Sequence, residues 1–283
     1  MEFKIALVQL FVSTDKDENL RRAGQLVAEA ASKGAKIVIL PESFNSPFGN
    51  EYVRDTSEPL DGSGPTHKLL SSLAKNHGVY IIGGTIPEIE NGKFYNCCPL
   101  YNRQGLLVGK YRKMHLFDIN IPGKIEYKES DVITPGAEPV IFKTEFANIG
   151  LGICYDVRFP QLALAYASKG CQLLVYPSAF SLTTGSLHWM LLSRSRAVDT
   201  LSYVAMCSPA RNEVAKNVAY GYSTVVDPWG KVIAAAAEQE EIVYADVCTE
   251  NVSAARQRIP LLSQARLDIY GSGFKNDPII VGS

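Results

Sequence analysis

AKIVILPE, residues 35–42, runs apolar from Ile37 to Leu40 and ends on Pro41 and Glu42; CQLLVYPS, residues 171–178, repeats the pattern with Pro177 in the matching place. A short continuous apolar run suits a strand buried on both faces, as in a parallel sheet covered by helices. The surroundings repeat as well. FKIALVQL (3–10), the helical pattern NLRRAGQLVAEAASKG (19–34), AKIVILPE, a second helix PTHKLLSSLAKNHG (65–78), VYIIGGTI (79–86) and a hairpin of FYNCCPLYN (94–102) with LLVGKYRK (106–113) form one series. ANIGLGICYD (147–156), PQLALAYASKG (160–170), CQLLVYPS, HWMLLSRSRAVDTL (188–201), SYVAMCSPA (202–210) and a hairpin of GYSTVVDP (221–228) with KVIAAAA (231–237) form the other. Leu20, Ala23, Val27 and Ala30 keep helical spacing, Gly34 and Gly78 close helices, and Pro160 opens one.

One repetition is too few for a solenoid. Two pseudo-symmetric halves, each a sheet with two helices, would bury their bare sheet faces against one another. The expected fold is therefore α/β, a four-layer α-β-β-α sandwich folding as one domain over 1–283. Its halves are expected at about 1–146 and 147–249. The extension 250–283 is too apolar for a free tail and is expected to pack on the body or on another subunit.

The 283 residues allow a large core, and a net charge of −1 gives no reason to expect nucleic acid or an anionic membrane as partner. No apolar run approaches the ~20 residues that span a bilayer. MEFKIALVQL lacks a basic n-region and a long apolar h-region, so no signal peptide is read and a cytoplasmic location is expected. The six cysteines (97, 98, 154, 171, 207, 248) are then reduced thiols; none forms a C-x-x-C pair, and buried free cysteines mostly act as small hydrophobes. No H-x-x-x-H and no acidic ladder suggests a metal, and no cofactor is expected. A nucleotide-binding module would need a glycine-rich phosphate loop; the nearest stretch, IIGGTIPE, matches neither pattern.

In sheets with helical crossovers, ligands bind beyond the carboxyl ends of the strands. Glu42 ends ILPE, Lys113 ends the first hairpin, and Cys154 lies in GICYD, which ends the first strand of the second half. Singly, each has a plain structural reading: a solvated cap, a surface lysine of the basic KYRK, a buried small residue. Together they are a thiol, an ammonium and a carboxylate at three strand ends that pseudo-symmetry brings together. A thiol near neutral pH is mostly protonated. A carboxylate can take its proton, and an ammonium stabilises the thiolate. Lys113 and the backbone N–H of Tyr155 could then hold the charge that builds on a carbonyl or nitrile under attack. That is hydrolysis through a thioester. A Cys–His arrangement is the rival. His67 and His77 fall on or beside a surface helix, His115 could approach the site, and His188 reads as a pocket wall before a catalytic base.

At LPESF, YRKMHLFD and GICYDVRFP the chain resembles the nitrilase (carbon–nitrogen hydrolase) superfamily, and within it most closely the ω-amidases. FNSPFG, KMHLFDINIPGKIEYKES, CQLLVYPSAFSLTTG, RSRAVDTLSYVA, SPARNEVA and GYSTVVDPWGKV carry the likeness along nearly the whole length. The resemblance implies the α-β-β-α sandwich and a Glu-Lys-Cys triad of Glu42, Lys113 and Cys154. It also implies a second glutamate, Glu129 with Glu126 as fallback, that holds Lys113 in place. ω-Amidases hydrolyse the side-chain amide of 2-oxoglutaramate and 2-oxosuccinamate, so the implied partner is a small dicarboxylate monoamide, and a homodimer is expected. Arg158 is the natural clamp for the far carboxylate, its alternative being an ion pair with Asp156. Thr183 or Thr184 could add a hydroxyl, and Phe44 and Phe180 are expected to wall the pocket. Phe48 stands where the resemblance leads one to expect tyrosine. A nitrilase, an N-carbamoyl amidohydrolase and an inert scaffold member remain the alternatives.

Overall fold

Side chains alternate across a strand, and along Glu2–Gln9 both sides find apolar cover. Phe3, Ile5 and Leu7 join one large buried cluster with Ile149, Leu151, Leu173 and Val175 of the second half, whereas Ala6 and Val8 join another. That second cluster holds Leu20, Ala23, Val27, Leu70 and Ala74 of two helices. Ile37 and Ile39 against Val38, and Tyr80 and Ile82 against Ile81, divide in the same way. The continuous apolar runs are thus strands with a helix layer on one face and a second sheet on the other. The computed structural model describes residues 1–122, 125–270 and 279–282, and its architecture is the four-layer α-β-β-α sandwich.

The first sheet runs, edge to edge, Glu241–Cys248, Glu2–Gln9, Ile37–Ile39, Tyr80–Ile82, Lys93–Tyr101 and Ile86–Glu90, with Leu107–Arg112 also paired to Lys93–Tyr101. The second runs Val232–Ala235, Thr224–Val226, Tyr203–Cys207, Leu173–Pro177, Asn148–Leu151, Val140–Lys143 and Ile279–Gly282. In each sheet three central strands are parallel and the rest of the original series is antiparallel. The helix Lys16–Ser32 is capped by Asp15, whose side chain accepts from Glu18 N–H, and Pro65–His77 ends at Gly78 in the left-handed region. Pro160–Ser168 and Met190–Thr200 cover the second sheet through Leu162, Tyr166 and Ala197.

Four features lie outside the expected series. Ile86–Glu90 is a strand of its own, and Asp118–Ile121 pairs with Ile125–Lys128 as a separate two-stranded sheet. The sheets also do not divide where the sequence halves do. Glu241–Cys248 crosses to the first sheet and pairs antiparallel with Glu2–Gln9 over its whole length, burying Val243, Ala245 and Val247. Val140–Lys143, placed in the first half, pairs with Asn148–Leu151 in the second sheet. Each half is therefore completed by a strand of the other. The extension packs on the body: Val252 and Ala255 are buried, Arg256 Nη2 donates to Cys171 O at 2.7 Å and Thr200 O at 3.2 Å, and Ile279–Gly282 pairs with Val140–Lys143. No described helix is long and apolar enough to cross a membrane.

Candidate active site

Alternation along Leu107–Arg112 decides where its basic residues go. Lys110 and Arg112 turn to Glu88 and Glu90, while Tyr111 turns into the core between the sheets. Lys113, one step past the strand, takes Tyr111's side and is 1% exposed. Its Nζ lies 3.1 Å from Glu42 Oε1 and 2.9 Å from Glu129 Oε2, and both carboxylates are buried. Asn96, on the adjacent strand, ties the two together: its Nδ2 donates to Glu42 Oε1 at 2.9 Å and to Glu129 Oε1 at 3.3 Å. Glu129 Oε2 also accepts from Phe117 N–H at 2.8 Å. Burial alone would push the Lys113 ammonium down; the charges of Glu129 and Glu42 outweigh it and hold the group well above its usual range.

Glu42 leaves its strand through a fixed turn. Pro41 O accepts from Thr85 N–H at 3.1 Å, Ser43 N–H donates to Thr85 Oγ1 at 2.9 Å, and Ser43 sits at φ 52°. A Cβ at Gly84 would come within 2.2 Å of Pro41 O, so only glycine allows this approach. Glu42 Oε2 is buried and takes no hydrogen bond from nitrogen or oxygen. The Glu42 carboxylate instead faces the Cys154 thiol.

Cys154 opens a short 3₁₀ turn, Cys154–Arg158, behind the strand Asn148–Leu151, and holds φ 47°. A non-glycine residue in that region costs roughly 1–3 kcal/mol and persists where surroundings enforce it. Asp156 is the enforcer. Its carboxylate, wholly buried, accepts from Ile153 N–H at 2.8 Å, Tyr111 O–H at 2.6 Å, His115 N–H at 3.0 Å and His115 Nδ1 at 2.7 Å. One side chain thus fastens the turn bearing Cys154 to the segment bearing Lys113. Burial pushes the Cys154 thiol well up and the charge of Glu42 adds to this, while Lys113 and the Ala179 N–H pull the other way. The resting sulfur is protonated, with a carboxylate beside it to receive the proton.

Arg158, at the end of the same turn, is half-buried. Its guanidinium lies 4.9 Å from the Phe180 ring and 5.8 Å from that of Tyr155, and Nη1 is 3.1 Å from His188 Nδ1. Asp156 is committed elsewhere, and among the described residues no carboxylate pairs with Arg158. The cation is free to receive one from outside.

The structure brings Glu42, Lys113, Glu129 and Cys154 into one buried cluster and sets Arg158, Tyr155, Phe180 and His188 together at its flank. Other expectations need correction. Phe44 is fully buried and packs in the helix-side core, away from the cluster that holds Cys154. Thr183 is exposed, and the Thr184 hydroxyl meets Ser181 Oγ at 3.1 Å. Glu126 is exposed and pairs loosely with Lys128, which leaves the second-glutamate place to Glu129. His115 is no base for the sulfur: Asp156 holds its Nδ1 and its ring stacks on Phe159, centroids 3.6 Å apart. His67 meets Tyr101 O–H, and His77 is exposed. Phe48 lines a small pocket, open to solvent, with Ser46, Asn96, Tyr127 and Glu129. Among the described residues no group of three or more His, Cys, Asp or Glu could hold a metal ion. Asn96 and the several bonds of Asp156 escaped the sequence reading. The one available signal was polarity: Asn96 interrupts an otherwise apolar strand centre, NCCPLY.

The chain is similar to known proteins along nearly its whole length. Omega-amidase NIT2 of Bos taurus is 53% identical over 268 residues, which are 95% of this chain and 96% of that protein. Omega-amidase NIT2 of Homo sapiens is 51% identical over 273 residues, 96% of this chain and 98% of the human one. The crystal structure of Saccharomyces cerevisiae Nit3, a member of branch 10 of the nitrilase superfamily, superposes with a TM-score of 0.86 at 43% identity, covering 94% of this chain and 97% of that one. Residues 4–257 match the carbon–nitrogen hydrolase family, and the chain belongs to that family.

Proposed function

We propose that this carbon–nitrogen hydrolase is an ω-amidase. It hydrolyses the terminal amide of a short 2-oxo dicarboxylate monoamide, 2-oxoglutaramate or 2-oxosuccinamate, to the 2-oxo diacid and ammonia. The observation that carries the reading is a buried thiol in a strained turn behind a strand, faced by Glu42 and a buried Lys113, with an arginine four residues on that meets no carboxylate among the described residues. The 51–53% identity to omega-amidases over nearly the full length supports it.

The reaction follows from the groups present. Glu42 takes the thiol proton as sulfur bonds to the amide carbon. The oxyanion that forms is met by Lys113 Nζ and the Tyr155 N–H. Glu42 returns its proton to the amide nitrogen, the C–N bond breaks, and ammonia leaves a thioester. Water then gives a proton to Glu42 and its oxygen to the thioester carbon; collapse expels the sulfur, which recovers the proton. Glu129 and Asn96 hold Lys113 and Glu42 in register throughout. Arg158 binds the far carboxylate through two parallel N–H donors, flanked by Phe180 and Tyr155.

We take the whole chain as one domain, because the cluster draws on both sheets and each sheet borrows a strand. We place it in the cytoplasm, where Cys154 stays reduced. A homodimer fits a surface of Leu187, Leu191 and Val198 beside the turn at Trp229, all exposed and apolar; sedimentation should give twice the chain mass, and a monomer at micromolar concentration would refute it.

Ammonia release from 2-oxoglutaramate, 2-oxosuccinamate, glutamine, an aliphatic nitrile and a carbamoyl amino acid tests the substrate. The oxo-acid amides should lead, and a faster nitrile or carbamoyl substrate would move the chain to those activities. Cys154→Ala should lose on the order of 10⁴-fold or more. An unchanged rate would end the thioester mechanism and favour an inert scaffold.

A further inference from the structure

His188 sits in a π-helical turn, Gly185–Trp189, that leads into the helix Met190–Thr200. Such turns are rare, cost hydrogen-bond geometry and often mark functional sites. This one is pinned on both sides. Trp189, fully buried, donates Nε1–H to Tyr222 O at 2.7 Å and lies 3.2 Å from Thr224 Oγ1, and Tyr222 is itself held at φ 61°. A Cβ on Gly185 would come within 2.3 Å of the Tyr220 ring. The turn therefore cannot relax to a plain α-helix without disturbing its packing. The side chain it presents is His188, with Nδ1 3.1 Å from Arg158 Nη1.

A guanidinium only donates. In this contact Nδ1 is therefore the acceptor. Arg158 is restrained on its faces by Phe180 and Tyr155, which let it slide but do not fix its rotation. The bond to His188 fixes that rotation through one N–H of Nη1 and leaves the Nη2–Nε edge for a bidentate carboxylate. We propose that His188 is a positioning residue for acid recognition: the π-turn aims its Nδ1 lone pair at Arg158 and so orients the guanidinium toward the carboxylate of the substrate. The proposal rests on Arg158 being the carboxylate clamp, and the experiment separates the two.

Steady-state kinetics are measured for 2-oxoglutaramate and for an uncharged linear amide such as butyramide, in wild type, Arg158→Met, His188→Ala and His188→Asn. Asn places an acceptor oxygen near the Nδ1 position. His188→Ala should raise KM for the acid amide about tenfold, the size expected for losing a hydrogen bond to a charged group. Its kcat should stay within about twofold, its KM for butyramide should rise far less than its KM for the acid amide, and His188→Asn should recover most of the loss. Arg158→Met should show the same selective KM effect, larger. If Arg158→Met is selective and His188→Ala is not, the positioning role is wrong and the clamp stands. If Arg158→Met is not selective, both fall. Equal losses on the two substrates in His188→Ala with no rescue by Asn would make the residue structural and overturn the inference.

Discussion

Lys110 and Lys113 belong to the same basic KYRK run, yet they end in opposite kinds of ion cluster. Lys110 and Arg112 face Glu88 and Glu90, two cations to two carboxylates, with Glu90 and the lysine partly in water. Lys113 faces Glu42 and Glu129, one cation to two carboxylates, all out of water, with Glu42 Oε2 lacking a nitrogen or oxygen donor. The first cluster is balanced and braces a sheet edge. The second is left unbalanced next to a thiol, and in the proposed mechanism the missing positive charge is what lets Glu42 accept a proton. Burial separates the two clusters, and the one-residue alternation of a strand decides burial.

Lys113→Met breaks this contrast most sharply. Two buried carboxylates lose their cation, which should cost roughly 3–5 kcal/mol, read as a lower urea midpoint. Loss of an oxyanion donor should lower kcat by about 10²–10³-fold. A variant as stable as wild type would show that the cluster is not electrostatically tight. A smaller effect concerns the thiol. Because burial and Glu42 hold Cys154 above the ordinary thiol value of 9.0, its alkylation by iodoacetamide should climb steadily as pH rises to about 9 and beyond. A plateau already at about pH 7 would mean a preformed thiolate and would overturn the proton transfer to Glu42. The smallest effect belongs to the balanced cluster. Hydrogen bonds from Lys110 and Arg112 hold the Glu90 carboxyl down at about 2, from an ordinary value of 4.5. A lowered carboxyl stabilises the fold above its unfolded value, and that stability is lost as pH falls through the folded one. The urea midpoints of wild type and Glu90→Gln should therefore differ slightly at about pH 6 and converge toward about pH 2, with added salt shrinking the gap. A gap that widens on acidification would refute the pairing.

Much of this was readable from the linear chain, and the part that was not has an identifiable cause. Ile37–Leu40 and Leu173–Tyr176 announce buried strands because a strand covered on both faces has no polar side to show. The edge strand Glu241–Cys248, with Glu241 and Asp246 among its apolar residues, lacks that signature and declares itself only by its pairing with Glu2–Gln9, far away in sequence. Val140–Lys143 is mostly apolar, but nothing local tells which sheet it joins. The same holds for the site. Glu42, Lys113 and Cys154 were expected because each stands at the end of an expected strand, whereas Asn96 and the bonds of Asp156 depend on which strands lie side by side. Phe44 follows Glu42 closely, but the turn at Ser43 sends it to the other side of the sheet.

By itself, the order of apolar runs, glycines and prolines determined two sheet-and-helix halves, and the residues at strand ends determined the reactive groups. Only the tertiary structure decided that the halves exchange strands, that Lys113 is buried while Lys110 is not, and that Arg158 meets no carboxylate among the described residues. The reason is that periodicity is a local property of the chain. Burial, ionic balance and hydrogen-bond partnership are set by segments that meet only when the two sheets close on one another.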